Sequence, residues 1–115
     1  MELRYYLLNE DHSLRQVPLM EWSDAFEVMD RTIAWSGNAN KYVSTIFLGM
    51  DHSLFGEGPP IVFETMVFVN EGTYNQELDQ IRYSSWAAAQ AGHKRCVKKY
   101  LINQKTRVTR VGVDI

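Results

Sequence analysis

The chain has 115 residues, of which 45% are hydrophobic and 23% charged, with seven glycines and three prolines. That composition excludes a disordered, collagen-like or linker-dominated chain, and the length suits a single domain over residues 1–115. A formal net charge of -2 argues against a dedicated nucleic-acid module, and no apolar run is long enough to span a bilayer.

Leu3 to Leu8 is apolar and aromatic and reads as a strand, ending at the turn formers Asn9-Glu10-Asp11-His12-Ser13. A short return strand fits Leu14 to Val17. Pro18 opens a helix, and Leu19, Trp22, Phe26, Met29 and Ile33 continue it on one face at spacings of 3 and 4. Ser36 to Asn40 reads as a turn. Val43 to Met50 and Ile61 to Val69 then read as two strands, apolar on both faces and therefore central, paired antiparallel across a long loop. Glu71 to Asn75 is a further loop, and Gln80 to Tyr83 a short strand. Ser84 or Ser85 caps a second helix from Trp86 to Ile102, with Trp86, Ala89, His93, Cys96 or Val97, and Tyr100 at helical spacing. The valine-rich alternation of Thr106 to Val113 predicts a last strand. The expected fold is therefore α+β: an antiparallel or mixed β-sheet with two amphipathic helices packed on one face. Asp-His-Ser-Leu occurs twice, at 11–14 and 51–54, both times where a turn is expected.

Charge is unevenly distributed. Residues 1–80 carry thirteen of the fourteen acids and four bases, a net of -9, whereas residues 81–115 carry eight bases and one acid, a net of +7. Lys94, Arg95, Lys98 and Lys99 form a row on the second helix that suits contact with phosphates, or is simply a solvated face.

Glu64 lies in a strand with Val62, Met66 and Phe68 on its face, where a carboxylate must be paired, hydrogen-bonded or protonated. It is either a general base or metal ligand, or a structural ion pair. His93, on the apolar stripe of the second helix, is either a ligand and acid/base group or a hydrogen-bonded core residue. Asp51-His52 ends a central strand, a good position for a site. Convergence of Asp51, His52, Glu64 and His93 would suit acid/base work or a divalent metal, with His52, Glu64 and His93 as the ligands, although their spacing matches no ligand signature. No nucleotide, hydrolase or zinc motif is present, and no cofactor is expected. Cys96 stands among bases that would lower its pKa, but inside a helix it reads as a buried thiol. As the sole cysteine it forms no internal disulfide, and MELRYYLLNEDH lacks the features of a signal peptide, so a cytoplasmic setting is expected. Leu54 and Phe55, set among glycines and prolines, are either a protein-contact surface or a cover for the end of the sheet.

The run Val43-Ser44-Thr45-Ile46-Phe47-Leu48-Gly49-Met50-Asp51-His52, with Pro59-Pro60, Phe63-Glu64-Thr65-Met66-Val67-Phe68, Tyr83-Ser84 and Ala91-Gly92-His93, resembles a family of small phage and prophage proteins of unassigned function. The resemblance covers residues 18–97 and marks Asp51, His52, Glu64, Thr65 and His93. The tail beyond Lys98 and the loop Ser53 to Gly58 are less typical of it. It implies a phage or prophage setting and a role in host interaction or anti-defence. The leading expectation is a non-catalytic accessory protein that binds a host or phage protein in the host cytoplasm. A small metal-dependent or acid/base enzyme and a nucleic-acid binder are the alternatives, and a homodimer fits a small domain with sheet edges.

Overall fold

The computed structural model describes residues 3–53, 56–70 and 75–102, and the backbone of 110–113. Among these, the elements in order are β1 (Tyr5–Leu8), β2 (Leu14–Val17), α1 (Leu19–Val28), β3 (Thr32–Gly37), β4 (Lys41–Phe47), β5 (Phe63–Asn70), β6 (Asn75–Tyr83), α2 (Trp86–Val97) and β7 (Arg110–Val113). One π turn, Lys98–Ile102, continues α2. β1 and β2 form a two-stranded ribbon, and the other strands form a five-stranded sheet in the order β6-β5-β4-β3-β7. Every pairing is antiparallel. The fold is α+β, with both helices packed against the sheet.

Alternation along the two inner strands divides the sheet into unlike faces. Val43, Thr45 and Phe47 of β4 meet Val67, Thr65 and Phe63 of β5 in register, and all six are fully buried on the face that α2 covers. Phe26 of α1 reaches the end of that face, with its ring 6.3 Å from Phe47. The opposite face carries Tyr42, Ser44 and Ile46 against Phe68, Met66 and Glu64. There a row of rings runs from Trp35 through Tyr42 to Phe68, with centroids 6.0 and 5.0 Å apart.

The first helix is shorter than its periodicity predicts, and Ile33 is not part of it. Met29 is already extended, and Asp30 Oδ1 accepts the Thr32 N–H at 2.9 Å, closing a turn that sends the chain into β3. Ile33 falls at a β-bulge between Thr32 and Ala34, and it is buried there for reasons unrelated to helical spacing. Ser36 and Gly37, expected in a turn, are the end of β3. The turn itself is made by Asn38, whose Oδ1 accepts from the Asn40 and Lys41 N–H groups.

Other boundaries differ as well. β6 begins at Asn75 rather than Gln80, because an edge strand with exposed polar residues on both sides shows no apolar alternation. The second helix becomes a π turn over its last five residues. Only Arg110–Val113 of the expected last strand can be compared, since 106–109 lie outside the described residues, as do 71–74 of the expected loop.

Candidate functional site

Asp51 closes the loop between β4 and β5. Its carboxylate accepts from the Ile61 N–H at 3.0 Å and from the N–H and hydroxyl of Ser53 at 2.8 and 2.9 Å, and it pairs with the Arg4 guanidinium. Burial alone would raise its pKa, but these donors more than offset burial and hold it at about 2. The same guanidinium donates to the Gly56 carbonyl at 2.6 Å, so Arg4 ties the start of the chain to this loop. Asp51 is thus a structural clasp. Asp51→Asn is expected to lower stability by about 2 kcal/mol, because it loses a charge-assisted pair in a site with 4% side-chain exposure. Urea denaturation checks this, and an unchanged midpoint would count against the clasp. His52 beside it is exposed.

Glu64 points to the sheet face opposite α2. Its Oε2 accepts from Gln80 Nε2 at 2.6 Å and from Arg82 Nε at 3.0 Å, both on neighbouring β6. The carboxylate is buried while Arg82 is 42% exposed, so the pair sits at the margin of that face. This is the structural ion pair of the two readings.

His93 lies on the other side of the sheet. Nε2 is 2.9 Å from Ser36 Oγ on β3, and Nδ1 is 2.7 Å from Thr45 Oγ1 on β4. Thr45 in turn is 2.6 Å from Thr65 Oγ1, to which Tyr83 donates its hydroxyl at 3.1 Å. All five residues are buried. With its Oγ1 accepting from Tyr83, Thr65 finds a place for its own proton on Thr45, and Thr45 then places its own on Nδ1. That donor order makes the imidazole the Nε2–H tautomer, which donates to Ser36; the opposite order makes it Nδ1–H. Nitrogen-15 NMR at neutral pH is expected to show the Nε2–H ring, and an Nδ1–H ring would mean that the protons run the other way. Burial pushes the His93 pKa down to about 4, so the ring is neutral at pH 7.

Glu64 and His93 thus face opposite sides of one sheet, and Asp51 is occupied in its loop. Those three do not share a site. Among the described residues, no three His, Cys, Asp or Glu side chains are grouped to hold a metal ion. Lys94, Arg95, Lys98 and Lys99 are all exposed, in line with the expected basic row. Burial raises the Cys96 thiol pKa, with Asp79 adding to the shift and Arg95 and Lys99 opposing it, so the bases do not activate the thiol. Leu54 and Phe55 lie outside the described residues.

Two concave features bring together residues that the sequence does not mark as a site. A shallow groove of about 630 Å³ runs where the ribbon meets the start of α1, lined by Leu3, Tyr5, Gln16, Val17, Pro18 and Leu19. Leu3 and Leu19 are 55% and 51% exposed, and neighbouring Met20 is 72% exposed. No residue of α1 is buried. A smaller pocket of about 210 Å³ lies between the β1–β2 turn, β3 and the start of α2. It is bordered by His12 and Trp86, whose rings stack in parallel 3.8 Å apart. His12, of the first Asp-His-Ser-Leu, borders this pocket. No protein-family model, curated protein or solved structure matches the chain.

Proposed function

We propose that the protein works by binding another protein, without catalysis, through the groove between the ribbon and α1. The observation that carries this reading is the exposure of Leu3 and Leu19 in one concavity, with Met20 exposed next to Leu19 in the chain. Side chains so placed gain little from the fold and gain most when a partner removes them from water, at roughly 25 cal/mol per Å² of apolar surface. Charge supports it as well, since α1 carries Glu21, Asp24 and Glu27 without a base. Glu21 pairs with Arg15 of β2, and the helix as a whole still favours basic partners over acidic ones. No helix among the described residues is long and apolar enough to cross a membrane. With the resemblance to phage and prophage proteins, the reading becomes an accessory protein that meets a host or phage protein in the host cytoplasm.

The test is co-purification from infected host cells with the wild type and with Leu19→Glu/Met20→Glu. Both positions are exposed, so the variant keeps its unfolding midpoint and loses a partner that the wild type retains. Equal retention by both proteins, or repeated recovery of none, would sink the proposal.

The exposed bases of α2 and of the π turn that continues it favour a second reading, contact with nucleic-acid phosphates. On that reading, reversing Lys94, Arg95, Lys98 and Lys99 to Glu abolishes binding whose affinity falls steeply with salt. Salt-independent binding by either protein would remove it.

A further inference from the structure

The pocket between the β1–β2 turn and α2 has the construction of a ligand site. Its floor is apolar: half-buried Leu8, with the buried Ile33 and Phe47 behind it, from three different strands. Its size is that of one ring with a short substituent, given that an engineered cavity of about 150 Å³ accepts benzene. It lies where the two-stranded ribbon meets the main sheet, and junctions between units are common ligand positions.

The wall made by His12 is the informative part. His12 has φ 68°, and among the described residues it is the sole non-glycine with positive φ. Its N–H donates to the Asn9 carbonyl at 3.0 Å, closing the hairpin turn. Glycine would occupy that backbone position without penalty. A histidine here holds an imidazole flat against the Trp86 indole, with planes 7° apart. Neither ring nitrogen of His12 has a hydrogen-bond partner among the described residues, although both ends of the buried His93 ring do.

Charge decides the ligand class. Asp30 is the only charged carboxylate in the lining, and no lysine or arginine joins it. Its Oδ1 accepts the Thr32 N–H, which fixes the carboxylate at the rim, and Oδ2 has no partner among the described residues. We propose that this pocket binds a small single-ring organic cation. The ring lies on the apolar floor beside the imidazole, and the ammonium donates to Asp30 Oδ2. The Thr32 hydroxyl supplies a further acceptor, while the aromatic walls favour a cation over an anion. The site is separate from the groove assigned to a protein partner.

The experiment titrates benzylamine into the full chain at neutral pH, following the Trp86 indole N–H by NMR, with benzyl alcohol and benzoate as comparison probes. Benzylamine is expected to shift that signal saturably. Benzyl alcohol binds about fivefold more weakly or worse, and benzoate does not bind. Asp30→Asn keeps an oxygen for Thr32 N–H and lies on the surface, so it folds normally and weakens benzylamine by a similar factor. His12→Gly relieves the backbone and removes one wall; it is expected to keep the unfolding midpoint within the range of a surface change and to lose binding. No saturable shift by about 10 mM benzylamine, equal binding of benzoate, or an Asp30→Asn protein that binds like wild type each overturns the proposal. Should His12→Gly fail to fold, the Asp30→Asn comparison decides alone.

Discussion

Gly92→Ala is expected to cost about 3 kcal/mol, a large loss for the addition of one methyl group. An added Cβ would stand 2.0 Å from the Tyr83 hydroxyl oxygen and 2.3 Å from its ring carbon Cζ. Two effects oppose each other here. Alanine inside a helix is worth up to about 1 kcal/mol over glycine. The overlap outweighs it, because Tyr83 is 7% exposed and its hydroxyl is held by Thr65. The ring cannot retreat without breaking the buried chain of hydroxyls, and α2 cannot lift without withdrawing His93 from Ser36 and Thr45. Urea denaturation followed by far-UV circular dichroism measures the loss. Tyr83→Leu clears the space, so in the double variant the two costs should fall short of additivity by about 2 kcal/mol. Simple additivity would show that Gly92 acts through something other than this contact.

The second large effect belongs to His93. His93→Ala removes a buried ring and leaves the Ser36 and Thr45 hydroxyls without it, a loss of about 3–4 kcal/mol. Its pH dependence has a definite sign. The folded-state pKa is about 4 against an ordinary 6.5, with burial as the cause. Between those values the unfolded chain binds a proton that the folded chain refuses. The contribution is therefore complete above pH 6.5 and declines as pH falls toward 4, by on the order of 3 kcal/mol. Asp51 extends the decline below pH 4, since its carboxyl is also held below its ordinary value. His93→Gln keeps a polar side chain and has no proton to gain, so its stability should be flatter than wild type between pH 6.5 and 4. Parallel curves for the two proteins would mean that His93 is not the titrating group.

How far the chain could be read from its residues depends on how far each element's pattern is set by one neighbouring layer. β4 and β5 were legible because β-branched and aromatic residues crowd both faces, as a strand paired on either side requires. α2 was legible because Ser85 caps it, its hydroxyl accepting the Ala88 N–H at 3.1 Å, and because Ala89, His93 and Cys96 repeat at helical spacing. β3 was misread because Met29 and Ile33 satisfy helical spacing by coincidence, while the Asp30 turn that stops α1 is a matter of one side-chain oxygen. Glu64 and His93 illustrate a different limit. Glu64 reads from the sequence as a carboxylate that needs a partner and His93 as part of a helix's apolar stripe, but the side of the sheet on which each lies follows from strand pairing and from the face that α2 covers. The partners of His93 were also hidden. Thr45, Thr65 and Ser36 are ordinary strand residues until pairing brings their hydroxyls into a line.

The place of β7 has a consequence for how the chain is made. β4, β5 and β6 pair with their neighbours in sequence, so each can close a hairpin soon after it leaves the ribosome. β3 completes only one side that way. Its other side pairs with Arg110–Val113, the last described strand, and so stays bare while everything between is synthesised. Thr32–Gly37 includes Ile33, Ala34 and Trp35, an apolar strand edge of the kind that recruits other chains. A ribosome paused between α2 and β7 therefore holds out an adhesive strand, and a transcript cut short in that interval would release a product that carries it permanently.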